Sequence, residues 1–288
     1  MGAYLVSAVD GVTFGMLYFT LAAGLTLIFG LMDMLNLAHG TCYLLGAGTA
    51  ALVADGTLAG LARAVAAGLG AGVLVGLLLT ALSQPLARRG HLDQALLTLG
   101  LSLLGAEAYL LVSGGDPLPA APPAALAGSV GLFGHAYPVY RLVFVAVAAV
   151  LALGIHLAVE RTRGGALVRA IVADRDMARA MGVDTRRVFA VVLVGGSALA
   201  VLGGVLGAPI LGPGPGVDEH VLLMSLAVVV LGGLGSVRGA LLAALLVGQV
   251  ETLGRTLVPA FASFLLFAVM AAVLAVRARG GVPAGRAA

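Results

Sequence analysis

Val188–Ile210 reads Val-Phe-Ala-Val-Val-Leu-Val-Gly-Gly-Ser-Ala-Leu-Ala-Val-Leu-Gly-Gly-Val-Leu-Gly-Ala-Pro-Ile, 23 residues without one charge. About 20 apolar residues span the hydrocarbon core of a bilayer. A helix is the default form for such a run, because it satisfies its own backbone hydrogen bonds in lipid. A transmembrane strand would alternate apolar and polar residues, and this run does not. Gly196, Ala200, Gly204 and Ala208 recur every fourth residue, a spacing that lets two helix backbones approach closely. Gly68, Gly72 and Gly76 form a second such stripe. Outward from this stretch the pattern repeats. Apolar runs lie at 8–30, 40–54, 61–82, 93–113, 139–159, 188–210, 219–234, 239–254 and 259–276. The second, seventh and eighth are short enough to be tilted, paired or re-entrant. The expected fold is therefore all-α: a single polytopic transmembrane helix bundle over residues 1–288, with eight or nine spans.

The composition agrees. Hydrophobic residues make up 61% of the 288, charged residues 10%, and the mean hydropathy is +1.11. A soluble domain carries about 25% charged residues, so this chain could not cover a water-facing surface. The 43 glycines suit membrane helix packing. Cys42 is the one cysteine, which excludes an intrachain disulfide and a cysteine metal site. His39, His91, His135, His156 and His220 are scattered without metal-ligand spacing. No Ser/His/Asp constellation or close carboxylate pair offers apparatus for catalysis. The first charge is Asp10 and the first arginine Arg63. A cleaved signal peptide would begin with positive charge, so the first run is expected to be a retained span.

All 16 basic residues are arginine, and their distribution predicts orientation. Arg88 and Arg89 lie in 83–92; Arg161, Arg163, Arg169, Arg175, Arg179, Arg186 and Arg187 lie in 160–187; Arg277, Arg279 and Arg286 lie in the tail. Segments 114–138 and 211–218 contain none. Arginine accumulates on the cytoplasmic side. Loops 83–92 and 160–187 and the C-terminus are thus expected inside, and the N-terminus and the proline-rich loop 114–138 outside, the latter as the largest surface for an external partner or as a plain connector.

Three segments interrupt the apolar pattern. Gly30-Leu-Met-Asp-Met-Leu-Asn-Leu-Ala-His-Gly40 sets Asp33, Asn36, His39 and Gly40 between two runs. It reads either as a capped turn or as a broken-helix element beside a transport path. Gly164–Gly182 reads as a short amphipathic helix bounded by glycines, with Leu167 and Ile171 on one face and Arg175 and Arg179 at i,i+4. Such a helix can dock in a groove of a soluble partner or serve only to fix topology. Leu231-Gly-Gly-Leu-Gly-Ser-Val-Arg-Gly239 lacks the lysine of a phosphate loop and reads as a tight turn. With 30–40 it suggests an internal repeat. Inside the spans, Glu107 and Glu251 either line a path or hold structural hydrogen bonds.

These segments resemble, in order and over nearly the whole chain, the permease subunits of branched-chain amino acid ABC importers, the LivH type. Asn36-Leu-Ala-His-Gly40 is similar to that family's Asn-hydrophobic-Ala-His-Gly element, Gly164–Gly182 to its cytosolic signature loop, and Gly232–Gly239 to its late glycine-rich turn, with Glu251 at a familiar acidic position. Thr41 departs from the acidic residue that often follows His-Gly, and the tail lacks the usual Arg-Pro. The resemblance implies an inner-membrane, non-enzymatic subunit that binds no cofactor itself. ATP and Mg belong to two cytosolic ATPase subunits. A second permease subunit, identical or related, completes the pore, and a periplasmic binding protein delivers a small amino acid. It implies that Gly164, Gly165, Ala166, Leu167, Arg169, Ala170, Ile171, Asp174, Arg175, Ala178, Met181 and Gly182 meet the ATPases. Membrane lipid surrounds the chain, and nucleic acid has no part. Relatives also carry urea, short amides and other small solutes. An ion-coupled secondary transporter would act alone and would not need a docking helix.

Overall fold

Every apolar run of the sequence folds as a helix. The computed structural model describes residues 2–32, 34–86 and 90–279. Its helices are α1 Gly2–Met32, α2 His39–Val53, α3 Leu58–Leu86, α4 His91–Ser113, α5 Val139–Arg161, α6 Arg163–Ala173, α7 Arg175–Ala180, α8 Thr185–Gly207, α9 Val217–Gly232, α10 Val237–Leu257 and α11 Ala262–Arg279. Among the described residues six are long and apolar enough to cross a membrane: α1, α3, α4, α5, α8 and α10. The expectation of eight or nine spans is not met by helix length alone. α2 and α9 have 15 and 16 residues, about 22–24 Å at 1.5 Å per residue, against a core of about 30 Å. The apolar part of α11 is Phe264–Ala275. The run at 239–254, by contrast, extends at both ends into the 21-residue α10.

The bundle is built around α1. Leu17, Tyr18, Phe19, Leu21, Ala22, Ala23 and Leu25 are fully buried, so every face of this helix meets protein. α10 lies antiparallel to it, with Gly11 against Gln249, Gly15 against the Ala244 backbone and Gly30 against Gly235. α3 and α8 pair in the same sense. A methyl group on Gly72 would lie 2.7 Å from the Ala198 Cα, and one on Gly76 would lie 2.6 Å from the Val194 Cα. Both small-residue stripes are therefore packing seams, though they do not face each other: Gly196 abuts Gly24 and Ile28 of α1, and Gly204 abuts the Tyr43 carbonyl of α2. α4 and α5 turn exposed Leu103, Leu104, Leu111, Val150 and Leu153 outward.

A repeat is present, but it is not the one expected: Gly30–Gly40 precedes a half-length helix and Leu231–Gly239 follows one, so the two segments are not counterparts. A long helix (α1, α8), a half-length helix (α2, α9), a four-residue turn and another long helix (α3, α10) follow one another twice. The turns match closely. Gly56 and Gly235 take φ of +78° and +76°, a region open to glycine. The next residue caps the following helix each time: Thr57 Oγ1 accepts from the Gly60 N–H at 2.9 Å, and Ser236 Oγ from the Gly239 N–H at 3.0 Å. The two units point opposite ways. The end of α2 shares a cavity with Pro119, Ala120 and Pro123 at the 114–138 end, while the turn after α9 touches Gly30 and Val172 at the 160–187 end.

Two connectors differ from the sequence reading. Segment 114–138 holds a two-stranded antiparallel hairpin, β1 Ser129–Leu132 with β2 His135–Pro138, turning at Phe133 and Gly134, both at positive φ as a type I′ turn requires. Gly164–Gly182 is two helices, not one. Asp174 leaves the helical region, with φ −157° and ψ 105°, and its carboxylate accepts from the Met177 N–H at 2.9 Å to start α7. The side chain outcompetes helix continuation for that backbone group. The glycines are not both outside the element either. Gly164 and Gly165 lie in the first turn of α6, which Thr162 caps. Gly182, at φ +84°, ends α7 in a Schellman pattern, with Val183 N–H to Ala178 O and Gly182 N–H to Arg179 O.

Three arginines sit at the 114–138 end, and each pairs with a carboxylate: Arg63 with Asp55, Arg141 with Asp10 at 2.5 Å, and Arg255 with Glu251 at 2.6 Å. At the other end Arg161, Arg163, Arg169, Arg175 and Arg186 make no ion pair within 4.0 Å among the described residues.

Candidate functional site

The half-helices α2 and α9 begin beside each other. A methyl group on Gly40 would strike the Asp218 carbonyl and lie 2.9 Å from Leu222 Cβ. Only glycine lets the two N-terminal ends approach so closely. α2 then runs to one end of the bundle and α9 to the other, so a pair of broken elements meets inside the protein. Such interrupted helices are tolerated at membrane depth where they are buried or line a cavity.

The segment before α2 is tied down by neighbours. His39 is buried, and its Nε2 donates to the Leu21 carbonyl of α1 at 2.8 Å. The Leu37 N–H donates to Thr98 Oγ1 at 3.1 Å, and that hydroxyl donates to the Leu35 carbonyl at 3.2 Å. The Asn36 carbonyl accepts from the His39 N–H. The Asn36 side chain is fully buried, and its amide makes no hydrogen bond among the described residues. Thr41, the departure from the family pattern, bonds Ser102 Oγ of α4 at 2.8 Å. His39 thus bonds a carbonyl within α1 rather than a helix end, α2 has no side-chain cap, the Asn36 amide has no partner among the described residues, and Asp33 lies outside the described residues.

Glu107 and Glu251 part company. Glu107 is exposed on α4 and joins no ion pair. Glu251 is buried at the centre of a network. Tyr18 Oη donates to its Oε2 at 2.6 Å, Arg255 Nη2 donates to its Oε1 at 2.6 Å, and His220 Nε2 lies 3.6 Å from Oε1 and 3.3 Å from Tyr18 Oη. α1, α9 and α10 thus meet at one carboxylate. Tyr18, His220 and Arg255 were not singled out from the sequence. A tyrosine in an apolar run carries no mark, and its partner lies 233 positions away. Arg255, four residues after Glu251 in a span, was the local signal available.

At the 160–187 end α6 and α7 seat themselves on the bundle. Val168, Ile171 and Ala178 are buried with Ile28, Leu31, Met34, Leu79, Phe189 and Leu193. The inward face is therefore Val168 and Ile171, and Leu167, expected to share it, points outward with Met177 and Met181. Arg169 donates to the Val159 carbonyl. Arg179 donates from Nε to Thr185 Oγ1 at 3.1 Å. Burial, and then the neighbouring Arg179 charge, lower the pKa of the Arg175 guanidinium. Gly165 is buried where α5 turns into α6, because a methyl there would strike the Ala158 and Val159 carbonyls. Gly164, Ala166, Ala170, Asp174, Met181 and Gly182 are exposed. The result is a pair of short helices seated on the bundle, with a thioether and leucine outer face. Among the described residues, no group of His, Cys, Asp and Glu is arranged to hold a metal ion.

The family model described as "branched-chain amino acid transport system / permease component" matches residues 7–274. The high-affinity branched-chain amino acid transport system permease protein BraD of Pseudomonas aeruginosa is 27% identical over 87% of this chain and 86% of its own. The permease proteins LivH of Salmonella typhimurium and Escherichia coli are each 27% identical over 96% of this chain and 94% of theirs. No solved structure matches the chain.

Proposed function

Because the chain belongs to the permease-component family of branched-chain amino acid transport systems, we propose that it is the membrane-spanning subunit of an ABC importer that moves leucine, isoleucine, valine and similar amino acids across a bacterial inner membrane. The observation that carries the reading is the pair of half-helices meeting inside the bundle at Gly40 and Asp218. A break of this kind gives a transporter two segments that can tilt separately around a central point.

On this reading the 160–187 end is cytosolic and the 114–138 end periplasmic. The linkers 34–38 and 208–216 complete the crossings that α2 and α9 are too short to make, and α11 supplies the last, for nine crossings with the N-terminus outside. Two cytosolic ATPase subunits bind ATP and Mg, and they meet α6 and α7. The contact is made by Leu167, Met177 and Met181, since Val168, Ile171 and Ala178 already face the bundle and Arg179 is held by Thr185. A second permease subunit and a periplasmic binding protein complete the importer. Reconstituting the chain with its ATPase, permease and binding-protein partners in proteoliposomes tests this. ATP-dependent uptake of labelled leucine is expected. Uptake of urea or a short amide with none of leucine would overturn the substrate assignment.

A further inference from the structure

The Glu251 network has one side that its own bonds leave unused. Both carboxylate oxygens are engaged, Oε2 by Tyr18 and Oε1 by Arg255. The acid is buried, yet Arg255 is 60% exposed and His220 35% exposed. A guanidinium has five N–H donors, and Arg255 commits one of them among the described residues. Glu251 therefore acts as a bracket that holds the guanidinium in place while leaving most of its donors outward.

Depth sharpens the point. Tyr18 lies about 24 Å along α1 from Gly2 and about 21 Å from Met32, at 1.5 Å per residue. Glu251 lies about 9 Å, and Arg255 about 3 Å, below the end of α10 at Leu257. The network runs from the mouth of the bundle to its middle, with a cation at the lip. Ionisable groups at such depth face the bundle interior or a wet cavity rather than hydrocarbon.

We propose that Arg255 and His220, bracketed by Glu251 and Tyr18, form a binding station for the carboxylate of a small zwitterion entering from the 114–138 end. This rests on the amino-acid reading above and adds the place where the permease holds that cargo. Guanidinium is suited to the task, because it meets a carboxylate with two parallel N–H donors. A lipid phosphate offers similar anionic oxygens, and the experiment separates the two.

The test uses the full importer in nanodiscs, with Cys42→Ala and Leu223→Cys, and a water-soluble thiol reagent. Leu223 is exposed, one turn from His220 on α9, and belongs to no contact of the network. Leucine at about three times its Kd leaves about a quarter of the sites free, so labelling slows about fourfold. Leucinamide, which lacks the carboxylate, should give no protection. Arg255→Gln should abolish protection by leucine, and Arg255→Lys should retain part of it, which separates lost binding from lost folding. The proposal is overturned by equal protection from leucinamide, by protection that survives Arg255→Gln, or by Leu223→Cys that never labels from water. Labelling that follows anionic lipid content and ignores leucine also overturns it, in favour of a headgroup contact. Leucine uptake by the unmutated importer is measured in parallel. Its absence would sink the amino-acid reading itself, whereas normal uptake without protection sinks only the station.

Discussion

Tyr18→Phe removes one oxygen atom from the centre of the bundle, and its cost can be worked from the contacts. The hydroxyl donates to Glu251 Oε2 at 2.6 Å, and Tyr18 is fully buried. Neutral hydrogen bonds between membrane helices average about 0.6 kcal/mol in double-mutant cycles. An ionised acceptor roughly doubles such a bond, which sets the expected coupling between Tyr18 and Glu251 at about 1–1.5 kcal/mol. The single variant should lose more, about 1.5–3 kcal/mol, because Oε2 is left buried without a donor. His220 cannot replace it from where it stands, since its Nε2 lies 3.6 Å from the other oxygen. The assay is reversible unfolding in mixed micelles of Tyr18→Phe, Glu251→Gln and the double variant. A coupling below about 0.3 kcal/mol, the usual error of additivity, would show that the short contact holds no helices together.

Other expectations follow from single contacts. Gly76→Leu should cost about 1–3 kcal/mol by forcing α3 off the Val194 backbone, whereas Gly70→Ala, with open space around it, should be neutral or stabilising by up to about 1 kcal/mol; thermal unfolding in detergent of the pair checks both. With Cys42 removed, cysteine at exposed Ala121 should react with an impermeant thiol reagent in intact cells and cysteine at exposed Ala173 should not; the reverse pattern would invert the orientation. Met177→Glu with Met181→Glu should leave the amount of membrane-inserted protein unchanged and lower co-purification of the ATPase subunits at least tenfold, about 1.4 kcal/mol; undiminished co-purification would remove these methionines from the contact.

Helix positions were readable because lipid imposes one rule on the whole chain: a long apolar run must be helical. The half-helices were readable as short runs for the same reason. The repeat was misaligned, with 30–40 set against 231–239; its local signal was Gly56-Thr57 and Gly60 against Gly235-Ser236 and Gly239, spacings that cap chemistry fixes. The break at Asp174 was also local, as a carboxylate three residues before the N–H it caps, but periodicity concealed it. Leu167 and Val168 are adjacent, and the choice between them as the inward residue depends on where the floor of the bundle lies. The Glu251 network was hidden for a different reason. Its partners come from three helices that only tertiary packing brings together, so no window of sequence contains them.

The paired arginines at the 114–138 end bear on how the chain enters its membrane. A cell membrane is polarised, and one elementary charge moved across it does about 2.3 kcal/mol of work per 100 mV. Arg63, Arg141 and Arg255 each travel with a carboxylate, from Asp55, Asp10 and Glu251. As neutral couples they cross that field with little net work. Arg161, Arg163, Arg169, Arg175 and Arg186 have no such escorts among the described residues, and carrying them across would mean about 11 kcal/mol at 100 mV. The same amino acid can therefore stand on both faces of the protein while only one face is anchored by it. The two ends thus differ in more than the number of their arginines: at the 114–138 end each described arginine is neutralised where it stands, and at the other end five are not, among the described residues.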